Sequence, residues 1–266
     1  MVVPEFTPRS GEGGWGAARA DLTSVGLTSV GLTSPDLVSA ADRLPWRVER
    51  IRGTPGELHG LGIDPQPDRL IRWCVADRDG LVLGSAQKTD DVDVDAAAHH
   101  GLEIVRRRSG GSAVLVGPRH LLWVDVVVAA GDPLWVDDVG RAPLWLGRVW
   151  VSALAGAGIV GATVHDGAMQ RQRWGSLVCF GGIGPGEVSV GTRKVVGISQ
   201  RRTRAGALFQ CAALIHWDPQ ATVAALAVPD RATSAADLAA VAVGVDDLAG
   251  PGASGRLPAA FAASLP

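Results

Sequence analysis

Residues 193–210 read RKVVGISQRRTRAGALFQ, and Lys194 inside this stretch is one of only two lysines in a chain of 266 residues. The other is Lys88, so every remaining basic position is arginine. Arginine is a permanent charge with a rigid fork of donors. A lysine amine is a compact charge that titrates on burial and can exchange a proton. The residues around Lys194 read as a strand, with Gly197 in its interior and Gln200, Arg201, Arg202, Arg204 and Gly206 following. A glycine within a strand often marks close approach of a ligand or another backbone. On the lysine count alone, survival by chance and retention for chemistry are equal alternatives.

A second Arg/Gly segment, RRRSGGSAV at 106–114, sits between two strand-like runs. Glycines let backbone amides approach a ligand and arginines grip anions bidentately, which makes an anion-binding loop one reading. A hairpin turn with solvated charges is the other. The spacing fits neither the P-loop nor the dinucleotide fingerprint.

Outward from these two segments, RLIRWCVA, GLVLGSAQ, LEIVR, SAVLV and HLLWVDVVVA read as strands, as do IVGATV, GEVSVG and AALIHW. DVDVDAAAHHGLE reads as a helix. A long helix is expected from the cap Asp132 and Pro133 onward, interrupted at Pro143. Strands cluster on both sides of that helix, which favours an α+β fold with a mixed, mainly antiparallel sheet packed by helices. Residues 1–35, with the repetitive LTSVGLTSVGLTSPDL, read as a flexible arm. The catalytic-sized domain is expected over 36–228. The Ala/Gly/Pro-rich 229–266 is expected as an extension with one or two loose helices and no accessory domain.

A formal net charge of −2 argues against a sequence-independent nucleic-acid binder, which needs broad phosphate neutralisation. Cys74, Cys179 and Cys211 are too few and too far apart for a disulfide framework. No basic start leads into an apolar core, and no apolar run reaches membrane-spanning length, so a cytoplasmic protein without membrane contact is expected. The histidines show no metal spacing, DDVDVD at 90–95 reads as a solvated helix start, and Trp123, Trp135, Trp145 and Trp150 read as core. No metal site is expected.

RRRSGGSAV, LVLGSAQ and RKVVGISQRRTRAGALFQCAALIHWD together resemble the catalytic domain of the lipoate and biotin protein ligases, nearest the lipoate–protein ligase and octanoyltransferase branch. The resemblance spans about residues 45–225. It implies that Arg107, Arg108, Ser109, Gly110, Gly111, Ser112 and Ala113 form one wall of an acyl tunnel, and that Gly84 and Gln87 line it. Lys194, Gly197 and Gln200 would supply the opposite strand, with Lys194 as the catalytic cation at the acyl carbonyl. The implied activity is attachment of a lipoyl or octanoyl group to a lysine of a lipoyl carrier domain, of the dehydrogenase-complex or glycine-cleavage H-protein type.

Three routes stand in order. First comes a ligase making an acyl-adenylate from lipoate and ATP with Mg²⁺. Second is a transferase taking octanoate from acyl carrier protein onto Cys179, whose Cys-Phe pair lies fifteen positions before Lys194, a spacing closely similar to that of the cysteine-dependent octanoyltransferases. Third is a non-catalytic relative that binds lipoate or biotin. A buried structural thiol is the alternative reading of Cys179. The chain departs from the ligase pattern at Ser112, at GPRHLLW and at GPGEVSVGTRK, where a third glycine, a His-Asp pair and an Asn-Asp segment are usual. These departures put adenylate binding in doubt and shift weight toward the thioester route.

Overall fold

The structure, a computed structural model, describes residues 45–63 and 69–266. The arm 1–35 and the start of the expected domain at 36–44 lie outside the described residues.

Ten strands are described: β1 (Trp46–Gly53), β2 (Arg69–Ala76), β3 (Gly80–Leu83), β4 (Glu103–Arg106), β5 (Val114–Val116), β6 (Leu121–Ala129), β7 (Ala162–Val164), β8 (Val188–Val190), β9 (Arg193–Arg202) and β10 (Gly206–Leu214). Seven form one sheet in the order β1-β2-β6-β10-β9-β8-β7, and three form a smaller sheet in the order β4-β3-β5. The pairs β1/β2 and β3/β4 are parallel and the other pairs antiparallel, which is the expected mixed, mainly antiparallel α+β fold. The sequence pattern did not reveal that the strands divide into two sheets.

Side chains alternate across a strand, and that alternation sorts the central strands into two cores. Val124, Val126 and Val128 of β6, with Phe209, Cys211 and Ala213 of β10, face helix α3 (Leu144–Gly156). Leu121 and Trp123 of β6 join the other core, with Val82, Val105, Val114 and Val116 of the small sheet. The candidate site lies on this second face.

The long helix begins later than expected. Asp132 caps no helix there; its carboxylate is buried against Arg69 at 3.0 Å. Pro143 precedes the first helical residue instead of kinking the middle, because a proline lacks the N–H that a helix interior needs. The sequence reading also passed over β1 and the short helix α1 (Pro55–Gly60), although TPGE at 54–57 carries a capping box. In it Thr54 Oγ1 accepts from Glu57 N at 3.2 Å, and Thr54 N donates to Glu57 Oε2 at 2.8 Å.

The C-terminal segment is not loose. Its last helix, α7 (Leu257–Ala263), buries Leu257 and Phe261 fully in the main core, with Phe261 4.6 Å from Trp150 of α3. Further back, residues 241–243 pair with the start of β9: Lys194 N donates to Val241 O and Val243 N donates to Lys194 O, each at 3.0 Å. The segment expected to be an extension thus fixes the backbone of Lys194.

Candidate active site

The glycine loop is built by the arginine before it. Arg107 is 5% exposed, and its guanidinium donates to Gly110 O from Nε at 3.1 Å and from Nη2 at 2.9 Å, and to Ser112 O at 3.0 Å. These bonds direct it to the loop's own carbonyls and not to a free anion. Gly111 has φ +103°, a conformation that favours glycine. Ser109 Oγ donates to Gln210 Oε1 at 2.9 Å and lies 3.1 Å from Ser199 Oγ, which ties the loop to β9 and β10. Ser112 Oγ donates to Gly175 O. Arg108 is exposed and lies outside the cavities described below.

Gly84 runs directly against Gly111, so that a Cβ at Gly84 would overlap the Gly111 carbonyl. Its N–H donates to Gln87 Oε1 at 3.0 Å, and Gln87 Nε2 donates on to Leu177 O at 3.2 Å. The variant Gly84→Ala is expected to displace the loop, costing about 1–3 kcal/mol of stability and most of the activity. Chemical denaturation alongside a transfer assay checks this.

Lys194 is 3% exposed, and three oxygens surround its ammonium. Nζ lies 2.7 Å from Glu187 Oε2, and donates to Cys179 O at 2.9 Å and to Gly182 O at 3.1 Å. The Phe180 ring centroid lies 5.1 Å from Nζ, within cation–π range. Glu187, 5% exposed, also accepts from Gly184 N at 2.7 Å and from Ile198 N at 3.1 Å. The Ile198 amide lies on β9 beyond the point where β8 ends, so a side chain takes the ladder partner's place. Gly197, next to it, is where β9 passes the pair: a Cβ there would touch Lys194 Cε at 3.4 Å and Glu187 Oε1 at 3.6 Å. Sequence reasoning missed Glu187. The available signal was an acidic residue at a strand start that faces Gly197 once the β8/β9 register is known.

Cys179 reaches the loop through an isolated bridge. Ala113 N donates to Leu177 O at 3.0 Å, and Cys179 N donates to Ala113 O at 2.8 Å. Two cavities meet there. One, of about 260 Å³, is walled by apolar side chains such as Val114, Val116, Leu121 and Trp123, and Gly197 and Gln200 also line it. The other, of about 540 Å³, carries more polar and charged side chains, among them Gln87, Lys88, Arg171, Ser112 and Lys194. Gly110, Gly111, Met169, Cys179 and Glu187 line both.

At the apolar cavity His59 stacks on Trp123 with centroids 4.2 Å apart, and its Nδ1 accepts from Gln210 Nε2 at 3.2 Å. Burial, helped by the nearby Arg107 charge, lowers its pKa to about 3, so the ring is neutral at working pH. The other thiols are fully enclosed: burial drives Cys74 up and pushes Cys211 up to about 12, whereas Cys179 is half-buried. The arrangement is an apolar slot and a more polar vestibule, with a thiol and a fixed ammonium where they join.

Residues 61–252 match the family described as lipoyl protein ligase A/B catalytic domain. The chain is 31% identical over 175 residues to octanoyltransferase LipM of Kyrpidia tusciae, covering 64% of this chain and 62% of that one. It is 28% identical over 160 residues to octanoyltransferase LipM of Moorella thermoacetica, covering 59% and 56%. The matched region thus spans less than two thirds of these relatives. In fold it is similar to the bi-partite lipoate protein ligase of Thermoplasma acidophilum, with a TM-score of 0.59, 19% identity and 84% of each chain covered. It is similar also to a lipoate-protein ligase A bound with ATP, with a TM-score of 0.58, 18% identity, and 82% of this chain and 84% of that one covered. With the match extending over well more than half of its length, the chain belongs to the lipoyl protein ligase A/B catalytic domain family.

Proposed function

We propose that the protein moves an octanoyl group from acyl carrier protein, through a thioester on Cys179, to a lysine of a lipoyl carrier domain. The observation that carries this reading is the half-buried Cys179 at the junction of the two cavities, beside Lys194. The octanoyl relatives support the same chemistry, and the solved ligase described together with its E2 lipoyl domain supports the acceptor.

In the first step the Cys179 sulfur attacks the donor thioester carbonyl, a new C–S bond forms and the donor thiol leaves carrying the proton. In the second, the neutral amine of the acceptor lysine attacks, the amide bond forms, Cys179 regains a thiol, and the surplus proton of the incoming ammonium leaves to solvent. Each step develops negative charge on the carbonyl oxygen, which a nearby cation stabilises. Lys194 is that cation here. The apolar cavity holds the tail and keeps water from the thioester.

The ATP-dependent ligase is a second reading, favoured by one feature: the 540 Å³ cavity brings Lys88 and Arg171 to the Lys194 side of the junction, where an adenylate phosphate would find cations. Two assays separate the routes. With octanoyl-acyl carrier protein and no ATP, the transferase reading expects octanoylated lipoyl domain. With free lipoate, product that forms only when ATP and Mg²⁺ are added, and none from the carrier donor, would sink it.

A further inference from the structure

Among the described residues Glu187 is the one carboxylate in contact with the Lys194 ammonium, and nothing in the transfer chemistry above uses it. Its surroundings define what it can do. Two backbone N–H groups and the ammonium converge on its oxygens, and hydrogen bonds to a carboxylate favour its charged form. Burying an amine favours the neutral amine unless a counter-charge is present. Lys194 has one nearby counter-charge, with two carbonyl oxygens as its other partners.

Those carbonyls belong to Cys179 and Gly182, so the same contacts also set where Nζ points. All three ammonium protons are therefore engaged at rest, and one must swing from a carbonyl to meet a developing oxyanion. The Glu187 bond is the contact that can persist through that exchange.

We propose that Glu187 is a positioning residue of the transfer: its charge keeps Lys194 an ammonium inside a buried site and anchors it while one proton turns to the acyl oxygen. This role rests on the reading of Lys194 as the cation at the acyl carbonyl. Other charged groups face the pair. From the larger cavity these are Lys88, Asp91 and Arg171, and from the apolar one Arg107 and neutral His59. A third cavity of about 290 Å³, beyond Lys194, adds His165 and Asp166, and the Cys179 thiol lies at the junction. Glu187→Gln removes a charge that these groups also feel, so the rate profile is read together with the residue-specific Lys194 signal.

Because the chain has only two lysines, protein labelled with [ε-¹³C]lysine gives two signals, one from the surface Lys88 and one from Lys194. In Glu187→Gln the Lys194 signal is expected to reach its neutral-amine position at a lower pH than in wild type, with a far larger displacement than that of the exposed Lys88 signal. The transfer rate of E187Q relative to wild type is expected to fall progressively as the pH is raised. Glu187→Asp keeps the charge and is expected to lower the rate by a factor that does not vary with pH.

A Lys194 signal that titrates at the same pH in E187Q and wild type would overturn the proposal. A uniform rate loss across pH in E187Q, or a pH-dependent loss in E187D, would do the same. Should wild type transfer no octanoyl group at all, the functional reading fails, and the two-signal titration still decides whether Glu187 holds the charge.

Discussion

Replacement of Cys179 by alanine is expected to lower octanoyl transfer by at least about 10³-fold and to leave the fold unchanged. The magnitude follows from the loss of a covalent route, since among the described residues Cys179 is the one thiol that lines both cavities. The side chain is half-buried at a cavity wall, so its removal opens little new void. Cys179→Ser is expected to be nearly as impaired, because a hydroxyl is a far weaker nucleophile than a thiol at neutral pH. Cys74→Ala and Cys211→Ala are the controls. Both thiols are buried, with burial holding them protonated, so these changes should cost stability while leaving the acyl-enzyme route intact; Cys211 also lines the apolar cavity, so its variant is read for KM as well. Steady-state rates and thermal unfolding on the four variants separate the two kinds of loss.

The second large effect is expected at Lys194. Lys194→Arg preserves a positive charge yet should reduce kcat by about 10²–10³-fold, the range found when one oxyanion-stabilising donor is lost. The slot around Nζ is shaped for a single tetrahedral head, bounded by Glu187 at 2.7 Å and by the carbonyls of Cys179 and Gly182 at 2.9 and 3.1 Å. A planar guanidinium is larger and cannot place its donors on those three oxygens together. The family motif and the sequence's preference for arginine, broken only here and at Lys88, meet at this position, and geometry explains why the substitution was not made here. KM for the acyl donor should change much less than kcat, since the tail is held by the apolar walls around Trp123 and Val114.

Strand content was legible in this sequence because apolar, β-branched runs such as HLLWVDVVVA have one physical reading, and β6 forms at Leu121–Ala129 as that reading requires. Helix boundaries were less so. The Asp-Pro pair at 132–133 is a legitimate cap signal, and Asp132 Oδ1 does accept from Leu134 N at 2.7 Å, but the carboxylate is shared with Arg69 and only a turn forms there. The C-terminal helices were expected to be loose because alanine-rich segments carry little pattern of their own. Their burial depends on a few anchors, Leu257 and Phe261, that only the packing against α3 identifies.

At the site, the glycine loop and the lysine strand were visible as motifs. Arg107 was expected as a grip on substrate, whereas the structure bonds it to the carbonyls of Gly110 and Ser112. That arrangement follows from a need sequence does not display, the satisfaction of carbonyls turned inward by a positive-φ glycine. Glu187 was invisible for a related reason. Its partner lies seven positions on, across a hairpin whose register shifts between Val188 and Ser189, so neither strand periodicity nor spacing predicts the contact.

The central claim is that Cys179 carries the acyl group. Peptide mapping by tandem mass spectrometry, after brief incubation with octanoyl-acyl carrier protein and no acceptor, tests it most directly. The account predicts an octanoyl group on the peptide containing Cys179, released by neutral hydroxylamine and transferred when a lipoyl domain is added. An octanoyl group on a different residue, or full acceptor modification by C179A, would contradict it.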